Sequence, residues 1–249
     1  MDVGVYGMGR FGAFWAQELA KYHRVKVYNR SDRPLPVGVM AATLEEVCLS
    51  ETLFLCTAIN SLPDVLRQIS PLLGPGTLVA DTCSVKVMPS KWMLEILPPE
   101  TPLLATHPMF GPDSAKAGTQ GLPLVLYPLR HATEGARFWK KSFETQMGLQ
   151  VLEMTPDEHD RTAAYTQGIT HLIGRVLGDL KLQPSPMATK GYRSLLEIVQ
   201  QTCNDPYQLF LDLQTFNPYT KEMRHQVQES FTRTREVLET ALDTGTSGE

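Results

Sequence analysis

The chain has 249 residues, enough for one large domain or two modest ones around a real hydrophobic core. Charged residues make up 20% and apolar residues 42%, and with a formal net charge of -4 there is no basic excess to neutralise phosphates, so no nucleic-acid partner is expected. The N-terminus lacks a basic-then-apolar leader pattern and no apolar stretch reaches ~18 residues, so no membrane span is expected and the default location is cytoplasmic.

In chain order, short β-rich runs alternate with helical ones. Strands are predicted at 2–6, 25–28, 52–56, 77–81, 102–106 and 123–127, and an amphipathic helix at 11–22 joins the first two strands. This spacing reads as βαβ units and a mostly parallel, doubly wound Rossmann-type sheet. The run Leu53-Phe54-Leu55-Cys56 is continuously apolar, as expected of a strand covered on both faces.

After residues 149–154 the strand signal disappears. Thr155, Pro156 and Glu158 form a helix start: an N-cap, a proline at the first helical position and a glutamate three residues after the cap. One long helix is predicted from there to about residue 180, then helices at 190–202, 206–216 and 219–242. The domains expected are an α/β unit over 1–152, an all-α unit over 153–242 and a small polar, disordered tail over 243–249. Few, long, apolar-striped helices suit burial against a second copy, so a homodimer through the helical unit is expected. Cys48, Cys56, Cys83 and Cys203 include no C-x-x-C pair, so no metal site is expected and the thiols read as free in a reducing compartment.

Gly7-Met8-Gly9-Arg10-Phe11-Gly12 is a G-x-G-x-x-G that follows a strand and opens a helix. Gly7 permits the tight turn, Gly9 the approach of a pyrophosphate and Gly12 close helix–strand packing. The free N–H groups at the helix start then meet the phosphates. The second strand ends in Asn29-Arg30-Ser31, where NAD-binding proteins place an acidic residue for the ribose 2′-hydroxyl. Asn29 does not repel a 2′-phosphate, Arg30 can pair with it and Ser31 can donate to it, so NADP is predicted, with NAD as the alternative. The cofactor site is taken to include Cys56 and Thr57 as well.

Two segments lie just beyond later strands, at the sheet edge where ligands of open parallel sheets bind: Asp81-Thr82-Cys83-Ser84-Val85-Lys86 and Thr106-His107-Pro108-Met109-Phe110-Gly111-Pro112. A histidine at a strand end, held by a following proline, suits acid–base work. These segments resemble the S-V-K and H-P-M-F-G-P-D/E-S signatures of the prephenate and arogenate dehydrogenases. Further likeness, closest to the plant-type arogenate branch, runs through Glu158-His159-Asp160, Gln167-Gly168-Ile169-Thr170-His171, Gly174-Arg175-Val176-Leu177 and Thr189-Lys190-Gly191-Tyr192.

The resemblance implies an oxidative decarboxylation, with hydride leaving ring C4 for the nicotinamide and the ring carboxylate leaving as carbon dioxide. It implies that neutral His107 accepts the C4 hydroxyl proton and that Ser84 bonds the same hydroxyl. Lys86 is expected to support the loop. Gln167 and His171, one turn apart on a helix face, are expected at the substrate, with Thr189 and Lys190. The F-R-D-x-x-R pattern of many bacterial members is missing, so Lys190, with Arg193, is expected to supply positive charge. Asp205 stands where arogenate-specific relatives carry an acid and can pair with the α-ammonium that prephenate lacks; Asp205 before Pro206 also reads as a plain helix N-cap. His159, in a first helical turn, reads equally as capping or interdomain packing and is not assigned to the site. The competing functions are another two-domain Rossmann reductase, such as a β-hydroxyacid dehydrogenase, and a non-catalytic protein that senses NADP.

Overall fold

A computed structural model describes residues 1–245 of the chain, with side chains described to Leu242. Eight strands form one sheet in the order β3-β2-β1-β4-β5-β6-β7-β8. They are β1 (Asp2–Tyr6), β2 (Arg24–Tyr28), β3 (Val39–Ala41), β4 (Thr52–Leu55), β5 (Leu78–Asp81), β6 (Leu103–Pro108), β7 (Pro123–Arg130) and β8 (Gln150–Glu153). Strands β1 to β6 are parallel, β7 runs antiparallel to β6, and β8 is parallel to β7.

The central strands are the apolar ones: every residue of β4, β5 and β6 is buried. The two strands that sequence reading missed, β3 and β8, lie at the sheet's edges, and each has two or more exposed residues. With one face wet and only three or four residues, they carry too little alternation to register as strands. Strand β8 also moves the end of the α/β unit to Glu153, one residue past the expected boundary.

Helices cover both faces of the sheet. On one face, α1 (Arg10–Ala20) buries Trp15, Ala16 and Leu19, and α5 (Thr133–Thr145) buries Trp139 and Phe143. Their rings enclose Phe54 of β4, with centroids 5.8 Å from Trp15 and 4.9 Å from Trp139, and Trp139 Nε1 donates to Thr52 Oγ1 at 3.1 Å. The Trp139 indole thus keeps a hydrogen bond while its ring is buried. On the other face, α2 (Leu44–Cys48), α3 (Leu62–Ile69) and α4 (Val87–Ile96) pack their apolar sides together with Leu213.

Leu213 belongs to α9 (Tyr207–Phe216), so the helical unit shares this second core. Phe216 of α9 meets Trp92 of α4 at 5.3 Å between ring centroids. The helical unit begins with α6 (Pro156–Ala163), whose N-terminus carries the expected capping box between Thr155 and Glu158. The predicted single helix to residue 180 is interrupted by a π-helical turn, Ala164–Gly168, before α7 (Ile169–Asp179). The Gly168 carbonyl in this widened turn accepts from Gln214 Nε2 at 2.8 Å.

Helix α8 (Lys190–Asn204) packs closely along α7: a Cβ at Gly174 would lie 2.2 Å from Thr202 Oγ1. The last helix, α10 (Thr220–Gly245), runs through the first three residues of the expected tail, and the remaining four, 246–249, lie outside the described residues. Among the described residues no helix is long and apolar enough to cross a membrane.

Candidate active site

The glycine loop joins β1 to α1 at the carboxyl edge of the sheet. Gly7 has φ +103°, open to glycine, and a Cβ there would lie 2.4 Å from the Cys56 carbonyl oxygen. A Cβ at Gly12 would lie 2.0 Å from the Gly7 carbonyl, so the helix can approach the strand only with hydrogen at that position. Gly9 has open space in front of it, with nothing among the described residues within 4 Å of an added Cβ, and α1 has neither a side-chain cap among them nor an acid in its first turn. Uncapped N–H groups behind a bare glycine fit a pyrophosphate.

Asn29 has a structural part that sequence alone did not show. Its Oδ1 accepts from Met8 N at 2.8 Å, and its Nδ2 donates to the Ser31 carbonyl at 2.6 Å. The amide therefore ties the glycine loop to the turn after β2. Arg30 and Ser31 are exposed there, and Phe11 packs against the aromatic core, 5.8 Å from Trp15 between ring centroids. Across the loop, burial pushes the Cys56 thiol up to about 12, which keeps it neutral, and Thr57 Oγ1 is buried without a hydrogen-bond partner among the described residues.

His107 lies within β6, which extends past the expected end at Thr106 to Pro108, and its register partner in β7 is Val125. A buried ion pair fixes the strand just before it. Lys86 (1% exposed) pairs with Asp81 (0% exposed), and Lys86 Nζ also donates to the Thr106 carbonyl at 2.6 Å. Asp81 in turn accepts from Cys83 N at 3.0 Å and Thr106 N at 3.3 Å. The lysine and aspartate thus lock the β5–α4 loop, which carries Ser84, to the strand that carries His107. Strand pairing of Asp81 with Ala105 makes these segments neighbours at the sheet edge.

His159, which sequence reading left outside the site, is in contact with His107. His107 Nδ1 is 2.8 Å from His159 Nε2, and His159 Nδ1 is 2.8 Å from Asp160 Oδ1. Both rings are buried. Asp160 also accepts from Lys86 N at 2.6 Å and Val87 N at 2.8 Å, so it caps α4 from the helical unit. Its position inside a Glu-His-Asp run was the only signal in the sequence. Burial pushes the His107 imidazole well below the ordinary histidine range.

The helical unit brings further groups. Gln167 sits in the π-helical turn and His171 on α7, and Gln167 Oε1, His171 Nδ1 and Ser84 Oγ are buried without hydrogen-bond partners among the described residues. Buried polar atoms of this kind are rare and fit the hydrogen-bonding edge of a polar ligand. Burial, then Arg175, holds His171 at about 4, so its Nε2, 4.0 Å from Asp205 Oδ2, is that of a neutral imidazole.

Asp205 closes α8 instead of opening α9 with its side chain: α9 has no side-chain cap, so the plain N-cap reading is not what is observed. Its carboxylate faces Arg10 Nη1 at 3.5 Å, and Arg10 also pairs with Asp113 of the loop after His107. Burial pushes the Asp205 carboxyl up and Arg10 pulls it partly back. Arg175, not singled out from sequence, donates to the Asp205 carbonyl at 2.7 Å and lies over the Tyr207 ring.

Thr189 and Lys190 stand apart. Thr189 accepts from Tyr192 N as the N-cap of α8, and both residues are exposed. A helix of 15 residues spans about 22 Å, which puts them at the opposite end of α8 from Asp205. Arg193, the other cation expected with them, donates to the Ala188 carbonyl at 2.9 Å. Within one chain, therefore, these residues and Asp205 cannot contact the same small molecule.

Residues 22–139 match the family described as prephenate dehydrogenase, nucleotide-binding domain, and residues 176–248 match a TYRAAT1-like C-terminal domain. The chain is 33% identical over 96% of its length to arogenate dehydrogenase 2, chloroplastic, of Arabidopsis thaliana, covering 70% of that protein. It is 35% identical over 97% of its length to arogenate dehydrogenase 1 of the same plant, but spans only 39% of that longer protein. In fold it is similar to Synechocystis arogenate dehydrogenase, with a TM-score of 0.69, 18% identity and coverage of 96% of this chain and 92% of that one. It is also similar to a prephenate dehydrogenase from A. aeolicus in complex with hydroxyphenyl propionate and NAD+, with a TM-score of 0.73, 16% identity and coverage of 98% and 92%.

Proposed function

The chain belongs to the prephenate and arogenate dehydrogenase family, and from that premise we propose that it oxidises arogenate to tyrosine with loss of carbon dioxide and hydride transfer to NADP. The observation that carries this reading is the buried His107, fixed on β6 beside the loop that carries Ser84, together with buried polar atoms of Ser84, Gln167 and His171 that have no hydrogen-bond partner among the described residues. A ring alcohol, a ring carboxylate and an amino-acid side arm together need such a set of donors and acceptors.

Bound nicotinamide supplies the hydride acceptor. The chain's part is to place the ring and manage one proton. His107 accepts the hydrogen bond of the C4 hydroxyl and takes its proton as hydride leaves C4. Ser84 holds the same oxygen. The ring carboxylate departs as carbon dioxide, its bonding electrons complete the aromatic ring, and the proton returns from His107 to the oxygen, which is now phenolic. No net proton is consumed, so the base is regenerated in each turnover. Asp205 receives the α-ammonium, and Arg175 and Arg10 are the nearby guanidinium groups for the carboxylates.

The neutral Asn29 with Arg30 and Ser31 beyond β2 supports NADP over NAD. A homodimer is part of the proposal. The apolar side chains of Val176 and Phe231 line a groove between α7 and α10, with Leu238 further along α10, and all three are exposed. A second copy over this face would cover them, and the isolated N-terminus of α8, with Thr189 and Lys190, would then be free to reach a neighbouring site. Free thiols at all four cysteines suit the cytosol.

The test is steady-state kinetics with arogenate and prephenate, each with NADP and NAD, following reduced nicotinamide and carbon dioxide. Stoichiometric release of both products from arogenate with NADP is expected. Cofactor binding without turnover of either cyclohexadienyl substrate would refute the assignment and favour a sensor.

A further inference from the structure

The contacts behind His107 decide which of its ring nitrogens can act. Each Asp160 oxygen already accepts a backbone N–H, from Lys86 and Val87, so Oδ1 can only accept from His159 as well. His159 therefore carries a proton on Nδ1, and as a neutral imidazole it presents a lone pair at Nε2. That lone pair lies 2.8 Å from His107 Nδ1, which must be the donor of the pair. His107 is thereby left with an unprotonated Nε2. The directions of both hydrogen bonds follow from one carboxylate and a neutral His159.

We propose that Asp160 and His159 form a positioning relay for His107: they fix its tautomer, aim Nε2 at the substrate hydroxyl and stabilise the imidazolium formed in each turnover. This deepens the oxidative decarboxylation reading and rests on it. His107 is buried, and a positive charge there is costly unless a partner accepts from it. When His107 Nε2 takes the hydroxyl proton, its Nδ1–H bond to His159 strengthens as a charge-assisted bond, and the positive charge is drawn toward Asp160. When the proton returns to the phenol oxygen, the chain of bonds relaxes with no proton lost to solvent. The logic matches that of an aspartate that orients a histidine base, lengthened here by one imidazole. His159 touches neither substrate nor cofactor in this scheme and acts through His107.

Two measurements test the relay. In the first, the full chain carries 15N-labelled histidine and nitrogen shifts report tautomers. His107 is expected to be protonated on Nδ1 and bare on Nε2, and His159 protonated on Nδ1. Protonation of His107 on Nε2 at neutral pH overturns the proposal, whether or not any substrate turns over. In the second, His159→Leu removes the acceptor, and His159→Gln keeps an oxygen near the Nε2 position. With His107 as general base, the leucine variant should lose about 100-fold or more in kcat, with KM changed by less than about threefold, and glutamine should restore at least about tenfold. A folded leucine variant with kcat within about threefold of the parent, or equal losses in both variants, overturns the relay. If the leucine variant does not fold, the tautomer measurement on the parent chain decides. A parent chain inactive on both substrates defeats the functional reading but leaves the tautomer result standing.

Discussion

The Arg10 guanidinium lies 3.5 Å from the Asp205 carboxylate, across the seam between the glycine loop and the end of α8. A cation already faces the acid that is proposed to receive the substrate ammonium. Asp205→Asn keeps the shape and removes the charge. A charge-assisted hydrogen bond is worth roughly 1.5–3 kcal/mol, so kcat/KM for arogenate should fall about 10- to 100-fold. Prephenate, without an ammonium, should be used as well as before or better. Kinetics with both substrates give the ratio, and an unchanged ratio removes Asp205 from specificity.

Asn29→Asp should move the cofactor preference toward NAD. The aspartate can still accept from Met8 N, so the glycine loop keeps its tether, but the new charge repels a 2′-phosphate. Arg30→Ala should raise KM for NADP about tenfold or more and leave KM for NAD nearly unchanged, because Arg30 is exposed and pairs only with the extra phosphate in this reading. Equal effects on both cofactors would contradict it.

Lys86→Met should act on stability. The substitution leaves Asp81 charged, buried and short of a partner, and it frees the Thr106 carbonyl. Breaking a buried pair on one side costs about 3–5 kcal/mol, seen as a lower urea midpoint. Replacing both partners with apolar residues should cost less than the single change. A single mutant as stable as the parent would show that the pair does not hold the loop.

Low pH should weaken the fold through two histidines. Burial holds His171 at about 4 and His107 well below the ordinary value of 6.5, so both stay neutral in the fold while their unfolded forms titrate near 6.5. The unfolded state then binds more protons as pH falls below that value. Stability is full above 6.5 and declines through the folded value, with His171 alone worth on the order of 3 kcal/mol. Urea midpoints measured between pH 7 and about 4 should fall, and His171→Gln should flatten part of the slope. Because the base works as neutral imidazole, the acid limb of kcat should lie below that of free imidazole. A limb at the ordinary histidine value would contradict the burial of His107.

Local chemistry made much of this molecule readable. The glycine loop, the capping box at Thr155 and the apolar central strands are each specified by residues within a few positions of one another, and the structure forms all three. Edge strands β3 and β8 were not readable because their pairing depends on neighbours far away in sequence. His159 was ambiguous for the same reason, since a first-turn histidine becomes a partner of His107 only once α6 docks on α4. Arg175 likewise gains its meaning from Asp205, 30 residues on. Thr189 and Lys190 are the opposite case: a shared motif suggested one site, and within one chain the length of α8 sets them apart from Asp205.

One carboxylate, Asp160, both fastens the helical unit to the head of α4 and orients the residue behind the base. Assembly and reactivity are therefore interlocked. In the proposed reading, a change that loosens this joint should therefore lower kcat through His107 while most of the fold survives.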